Sequence, residues 1–339
     1  MRFSLTKKLS IPIFTGILIL SHWGCQREEV EEIPTQSNLV IINTLSETVS
    51  IYDIEKDTLF EDVLETGKTP NDLLIQGDVG YIVNSGFGGI PALDIINLRE
   101  MRLIERVLLP VGSNPYSIAS SGDRFFVTLS ARNQVLVLNK SLLPIDSIKV
   151  GKWPEGIASF KGKVYVAVTG FDSQDFTYGN GYTYIINTTS TPYSVDSVKV
   201  GKNPQMVKVF NNKIYIMCTG DYINTPGGFY VLNPETNSLE DSLTIDFNPQ
   251  DFVYYKGKYY FVDFSRGIFS TSDGSQIDTL LIIHGASRII LDADRIWASI
   301  FNASDLNYIV MILPDSSSTF WIEAGQSKGV GPIGVYRRN

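Results

Sequence analysis

Histidine and cysteine are scarce in this chain of 339 residues, which contains only two of each. Zinc fingers, iron–sulfur clusters and disulfide-stapled scaffolds need several such residues, so the sequence excludes these classes. His22 lies in an N-terminal leader, which leaves His284 as the single imidazole of the body. A Ser-His-Asp catalytic relay could therefore be built only around His284.

Charged residues are also few, at 19%, and the formal net charge is -8. Proteins that bind nucleic acids usually present a basic surface, so we predict no nucleic-acid partner. Aromatic residues and glycine are plentiful, with 17 Tyr, 18 Phe and 28 Gly. Together with many β-branched residues, they favour a β-rich chain.

Residues 1–24 have the pattern of a secretory signal. A basic start that contains Lys7 and Lys8 precedes an apolar run over 9–20, which is too short to span a bilayer comfortably. The segment ends at Gly24-Cys25 and resembles a bacterial lipoprotein signal, in which the cysteine becomes the lipid-modified first residue. His22 departs from that pattern three residues before the cysteine, so an ordinary signal peptide or an uncleaved anchor stays open as the alternative.

The segment 25–37 is polar and acidic and predicts a flexible tether. We therefore expect an exported monomer of the cell envelope, held at the outer membrane or cell surface by a lipid on Cys25. A periplasmic or secreted protein is the alternative. Cys218 lies in an alternating apolar segment and is predicted to be a small core residue.

A short phrase recurs along the rest of the chain, as in VGSNPYSI at 111–118, VGKWPEGI at 150–157 and VGKNPQMV at 200–207. Weaker copies are present near 66, 246, 284 and 329. Aligning the prolines, with Arg288 in the sixth copy, gives the positions Pro70, Pro115, Pro154, Pro204, Pro249, Arg288 and Pro332. Spacings of about 40–50 residues are typical of propeller blades.

Each repeat contains four short β-type segments, shown most clearly by 116–120, 124–129, 134–138 and 145–150. The N-terminal part supplies three more segments within 38–66, and the C-terminal part supplies one within 332–338. Pairing these two ends would complete a seventh sheet and would protect its edges. The prediction is an all-β, seven-bladed β-propeller of four-stranded blades, which occupies 38–339 as a single domain.

The repeats resemble the YVTN/YncE-like seven-bladed propeller family, in an exported bacterial lipoprotein form. The resemblance rests on the V-G-x-[NW]-P phrase and on the strands KVYVAVTG at 163–170 and KIYIMCTG at 213–220. The usual Asn at the end of that strand is missing here, except in YIVNSG at 81–86. The resemblance implies a structural repeat and no particular activity.

Two sets of residues could surround the mouth of the axial channel. The crossovers between blades place one residue before each proline, where proline should favour extended backbone. The loops between second and third strands are long at 170–181, 220–228 and 301–308 and carry aromatic and acidic side chains, as ligand sites often do. The candidate binding residues are Asn114, Trp153, Asn203, Asn248, Phe171, Asp172, Asp175, Phe176, Tyr178, Asp221, Tyr222 and Phe301.

Motifs that would indicate catalysis or cofactors are absent from the sequence. It contains no P-loop, no His-Glu-x-x-His and no supported Gly-x-Ser-x-Gly elbow. Asp172 with Asp175, and Asp292 with Asp294, are better explained as turn carboxylates than as metal ligands. We assign no catalytic residue, no metal and no cofactor.

The sequence thus favours a non-catalytic protein that binds a small ligand or an envelope protein at the channel mouth. A scaffold for envelope assembly and a lactonase-like hydrolase are the alternatives. Capture of cobalamin at the cell surface is a narrower possibility.

Overall fold

The computed structural model describes residues 37–316 and 318–337. The predicted signal sequence, Cys25 and the tether before Ser37 lie outside these residues. No helix in the described ranges is both long and apolar enough to cross a membrane. Within the described residues, a single 3-10 turn, Ser130–Arg132, interrupts a succession of strands and loops.

The strands follow one another in chain order as four-stranded units, with one added hairpin. The first half contains β1 (Ser37–Asn43), β2 (Thr48–Asp53), β3 (Thr58–Glu65), β4 (Pro70–Gln76), β5 (Val79–Asn84), β6 (Ala92–Asn97), β7 (Arg102–Leu108), β8 (Pro115–Ser121), β9 (Arg124–Leu129), β10 (Gln134–Leu138), β11 (Pro144–Lys149), β12 (Pro154–Phe160), β13 (Lys163–Val168), β14 (Phe171–Asp172), β15 (Thr177–Tyr178), β16 (Tyr182–Asn187) and β17 (Ser194–Lys199). The second half contains β18 (Pro204–Phe210), β19 (Lys213–Cys218), β20 (Gly227–Leu232), β21 (Leu239–Ile245), β22 (Pro249–Tyr255), β23 (Lys258–Asp263), β24 (Gly267–Thr271), β25 (Asp278–Ile282), β26 (Ala286–Asp292), β27 (Arg295–Ile300), β28 (Leu306–Leu313), β29 (Ser318–Gln326) and β30 (Val330–Arg337).

These strands form seven four-stranded antiparallel sheets, so the predicted fold class is confirmed. Six sheets are continuous in sequence, and the seventh has the order β3-β2-β1-β30. In that composite blade, Leu39 of β1 lies opposite Val335 of β30, near the far end of the chain. The predicted closure by the two ends is therefore confirmed, with β30 starting at Val330 rather than at 332.

Seven apolar clusters hold the ring together, and each joins two neighbouring blades. One cluster, for example, packs Val83 and Leu93 against Phe125 and Leu129 of the next blade. The cluster that contains Leu39, Ile41 and Trp297 joins the composite blade to the blade before it. The second strands of the blades are buried on both faces, which explains their nearly continuous apolar sequences.

Two local features explain the recurring sequence signals. The KGK turn at 161–163 has Lys161 at φ 47° and Gly162 at φ 70°, the paired positive values of a two-residue hairpin. The crossovers differ from the expectation of extended backbone, because Asn114 and Asn203 before the prolines have φ of 47° and 55°. Asn tolerates this left-handed conformation, and it directs the Asn203 carbonyl to the backbone N–H of Thr219, 2.9 Å away.

The register corrects the sequence alignment of the last two repeats. Pro70 lies opposite Asn84 at the end of the second strand. Ala286 lies opposite Ile300, and Val330 opposite Asn43, at the equivalent places. Arg288 is therefore two residues past the proline position, where Asp72 and Asp251 stand in other blades, and Pro332 is displaced in the same way.

Candidate functional site

A cavity of about 280 Å³ opens where the innermost strands begin. In each blade the pairing between the innermost strand and the second strand is irregular just after the first residue of the innermost strand. The residue that follows therefore has no partner on the second strand. Bulges of this kind redirect side chains. We call these seven positions the mouth ring: Asn71, Tyr116, Glu155, Gln205, Gln250, Ser287 and Gly331. Six of the seven line the cavity, together with Arg288, Tyr222 and Phe301.

Arg288 brings a positive charge to the wall of this cavity. Its Nη2 donates to the backbone oxygen of Asn71 at 3.4 Å, and the guanidinium also hydrogen-bonds the Tyr116 phenol. Burial raises the pKa of Tyr116 to about 12, with a further contribution from Glu155 and an opposing one from Arg288. Within residues 37–316 and 318–337, no carboxylate oxygen forms an ion pair with Arg288 within 4.0 Å.

Two aspartates of the inner strands, Asp251 and Asp72, act electrostatically on this guanidinium but make their direct contacts with other groups. Asp251 accepts an ion pair from Lys208 at 2.5 Å and hydrogen bonds from the backbone of Phe252 and Ile289. Asp72 accepts the Ser117 hydroxyl and the Ile118 N–H. Arg288 is therefore left with unused donors that face the cavity.

Glu155 is the buried acid of the mouth ring, with 7% of its surface exposed. The Trp153 side chain hydrogen-bonds the carboxyl group of Glu155. The Oε2 atom of Glu155 has no hydrogen-bond partner. Burial raises the pKa of Glu155 to about 8, against the opposing effects of Arg288 and Trp153. Near neutral pH this carboxyl group is thus mainly protonated and carries little charge.

Aromatic rings extend from the long loops to the cavity. Centroid distances are 5.0 Å between Trp153 and Phe171, 5.2 Å between Phe171 and Tyr178, and 6.4 Å between Tyr178 and Tyr222. The short hairpin β14–β15 holds Phe171 opposite Tyr178. The Tyr222 phenol contacts Gln205 and lies 3.5 Å from the Gln250 amide nitrogen, so the row of rings ends at the wall of the cavity.

The structure separates the sequence-predicted candidates into three groups. Tyr222 and Phe301 line the cavity, and Trp153, Phe171 and Tyr178 belong to the connected rings. Asn203 and Asn248 fix backbone, because their amides donate to the carbonyls of Gly220 and Thr219. The remaining candidates, apart from the half-buried Asn114, are exposed or occupied elsewhere: Asp172, Asp175, Phe176 and Asp221.

Local ion pairs and turns occupy the loop carboxylates. Asp172 pairs with Lys152 at 2.6 Å, and Asp221 pairs with Lys202 at 2.8 Å. The hydrogen bond from Lys202 is the main cause of the lowered pKa of Asp221. Asp175 accepts hydrogen bonds from Thr177 in its own turn. These acids organise the loops and do not converge on the cavity.

Sequence reasoning missed most of the cavity wall, including Asn71, Tyr116, Gln205, Gln250 and Arg288. A signal was available, because five of the mouth-ring residues directly follow the repeated proline. Arg288 could not be found in that way, because it stands two residues past the proline position and the sixth repeat lacks the proline itself. His284 is exposed and lies outside the cavity, and no group of three or more His, Cys, Asp or Glu in the described ranges could hold a metal ion.

Comparisons with known proteins support the fold alone. No protein-family model matches the chain, and no curated protein matches it. AztD from Citrobacter koseri is 11% identical, with a TM-score of 0.55 over 90% of this chain and 99% of that one. A quinonprotein alcohol dehydrogenase-like protein from Bacteroides thetaiotaomicron is 14% identical, with a TM-score of 0.65 over 89% of this chain and 78% of that one.

Virginiamycin B lyase from Staphylococcus aureus is a third similar structure, 12% identical, with a TM-score of 0.59 over 79% of this chain and 91% of that one. The names of these three proteins describe different kinds of molecule. Similarity at this level of identity indicates a shared propeller fold and carries no activity from one protein to another.

Proposed function

We propose that this propeller is a binding protein whose mouth cavity takes one small polar molecule. The observation that carries the proposal is the convergence of Arg288 with amide, hydroxyl and aromatic side chains in a single cavity. Ligand sites commonly combine a few polar groups that fix orientation with apolar walls that provide contact area. A cavity of about 280 Å³ suits a molecule the size of a monosaccharide.

This volume favours a ligand smaller than a corrinoid, which would have to lie over the loops instead of entering the cavity. Cobalamin capture therefore receives less support than it had from the sequence. A lactonase-like reaction would need an acid or base at the cavity, and Glu155, the acid of the mouth ring, is not among the residues that line it.

The experiment is a thermal-shift screen of the full chain in neutral detergent against sugars, sugar acids, polyols and amino acids. A ligand at about 100 times its Kd should stabilise the protein by about 2.7 kcal/mol, which is several °C for a domain of this size. Gln205→Ala should abolish the shift, because Gln205 lies on the cavity wall. The matched control Gln276→Ala changes an exposed side chain in another loop and should leave the shift intact.

If Gln205→Ala and Gln276→Ala respond alike to every stabilising compound, the cavity is not the binding site. If no compound stabilises the protein, the small-ligand proposal fails.

Scaffolding is the second candidate, and exposed apolar loop tips favour it. Phe87 and Ile223 are each 84% exposed, and Phe176 is 77% exposed, although isolated exposed apolar residues are common on soluble proteins. Crosslinking of envelope proteins to a photoreactive residue at position 223 would support this role. Crosslinks equal to those from exposed position 105 would count against it.

We also propose export and lipid anchoring through Cys25. The chain offers its own control, because Cys218, the single cysteine of the described residues, is buried. Palmitate labelling in cells should be lost in Cys25→Ser and retained in Cys218→Ala. Labelling that persists in Cys25→Ser would leave the ordinary signal peptide or uncleaved anchor as the better interpretation.

A further inference from the structure

The charges around the mouth cavity indicate which chemical class of ligand it binds. This inference rests on the binding function proposed above. Arg288 is partly buried, and its guanidinium has no carboxylate partner within 4.0 Å among the described residues. A guanidinium carries five N–H donors, and the Asn71 carbonyl and the Tyr116 phenol engage only part of that set. A partly desolvated charge with unused donors is a site for an anion, and a carboxylate matches its planar fork.

The acids near the cavity act on Arg288 only at a distance, because none of them among the described residues forms an ion pair with it within 4.0 Å. Lys208 neutralises Asp251 through a direct ion pair at 2.5 Å. Asp72 is held by the Ser117 hydroxyl and by the Ile118 N–H at 3.1 Å. Burial keeps Glu155 mainly protonated near neutral pH, so this residue adds little repulsion toward an incoming anion.

The remaining wall is suited to hydroxyl groups. Gln205, Gln250 and Asn71 supply amides that can both donate to and accept from a hydroxyl. Ser287 adds a hydroxyl group of its own, and Tyr222 and Phe301 provide aromatic surface for the C–H faces of a ring. An apolar carboxylate would leave these half-buried amides without hydrogen bonds to the ligand, which is unfavourable.

We propose that the ligand is a small polyhydroxylated carboxylate, of the sugar-acid class, with its carboxylate paired to Arg288 and its hydroxyls bound by the mouth-ring amides. The mouth-ring amides and Arg288 come from different blades, so the hydroxyl groups and the carboxylate of the ligand contact separate inner strands. The site thereby selects for the joint presence of both groups.

The test is isothermal titration calorimetry of the full chain at neutral pH with matched probes. D-galacturonate and D-gluconate are compared with D-galactose and D-sorbitol, which have the same carbon number but lack the carboxylate. We expect at least one acid to bind at least tenfold more tightly than its neutral counterpart, because a charge-assisted bidentate pair is lost in the neutral probe.

Variants assign that preference to Arg288. Arg288→Gln should weaken acid binding at least tenfold and so reduce the ratio of acid affinity to neutral-probe affinity. Arg288→Lys retains the charge but loses the planar fork, so it should recover part of the preference. The control is Arg132→Gln, which removes an exposed cation that contacts the Val111 carbonyl outside the cavity. Circular dichroism and a melting curve confirm that each variant is folded.

Equal affinity for acids and neutral probes in the wild type would overturn the inference, and so would an undiminished preference in folded Arg288→Gln. If none of the four probes binds, the inference is also wrong. The proposed binding function would still stand in that case, provided that another polar compound stabilises the protein in a manner that depends on Gln205.

Discussion

Replacing Glu155 with Gln should make the protein more stable at alkaline pH and leave it nearly unchanged at pH 5. Burial raises the pKa of Glu155 from its ordinary value of 4.5 to about 8 in the folded protein. Below 4.5 the carboxyl group is protonated in both the folded and unfolded states. Between 4.5 and 8 the unfolded chain releases a proton that the folded protein keeps, so stability falls as pH rises.

The size of this effect follows from the pKa shift. One pKa unit corresponds to about 1.4 kcal/mol, so a shift from 4.5 to about 8 corresponds to about 5 kcal/mol in a rigid site. Local relaxation and water entry reduce the cost of a buried charge. We therefore expect the free energy of unfolding of Glu155→Gln, taken relative to that of the wild type, to rise by at least ~2 kcal/mol between pH 5 and pH 9.

Urea unfolding at pH 5, 7 and 9 measures this difference directly. All other titrating groups are shared by the wild type and the variant, so their contributions cancel in the comparison. Glu105→Gln removes an exposed carboxylate and should give a difference that hardly changes with pH. If the Glu155→Gln difference is the same at pH 5 and pH 9, Glu155 is not a buried carboxyl group with a raised pKa.

Four further substitutions test the ring and its channel. Tyr336→Ala should destabilise the protein by about 3–5 kcal/mol in urea unfolding, because this buried side chain belongs to the closing strand. Tyr336→Phe removes the phenol hydroxyl, which donates to Asp78 at 2.7 Å and also hydrogen-bonds Arg99, and should cost about 1 kcal/mol. Lys208→Met leaves Asp251 buried without its partner and should cost about 3–5 kcal/mol, whereas Lys258→Met breaks an exposed pair worth at most ~1 kcal/mol.

Each of these predictions has an outcome that contradicts it. Equal losses for Tyr336→Ala and Tyr336→Phe would show that the ring contributes little to closure. Equal losses for Lys208→Met and Lys258→Met would show that water screens the channel pair as effectively as the surface pair.

The architecture could be predicted from the sequence because its determinants are local and repeated. The turn at 161–163 requires positive φ at two adjacent residues, and KGK supplies them. The continuous apolar runs of the second strands follow from burial on both faces. The incomplete sets of segments at the two ends leave pairing of β1 with β30 as the way to cover their edges, and the structure has that pairing.

The cavity could be predicted only in part, because its residues are brought together by closure of the ring and have no local signature. Arg288 and Asn71 are far apart in sequence, and nothing in either segment indicates that the guanidinium reaches the Asn71 carbonyl. The length and the aromatic composition of the loops predicted that they belong to the site. Tyr222 and Phe301 did prove to line the cavity, whereas Asp172 and Asp221 pair with neighbouring lysines.

The seven blades have the same backbone arrangement, so the chemical differences between them come from the side chains at equivalent positions. After the first residue of each innermost strand, the ladder irregularity leaves the next residue without a cross-strand partner. Six of these seven residues carry a side chain, and Gly331 of the composite blade is the exception. Packing does not require these side chains to be alike, and they include an acid, three amides and a phenol: Glu155, Asn71, Gln205, Gln250 and Tyr116. A repeat that served only the fold would not need this variety at an axial position, so the variation supports the proposal that the mouth ring contacts a ligand.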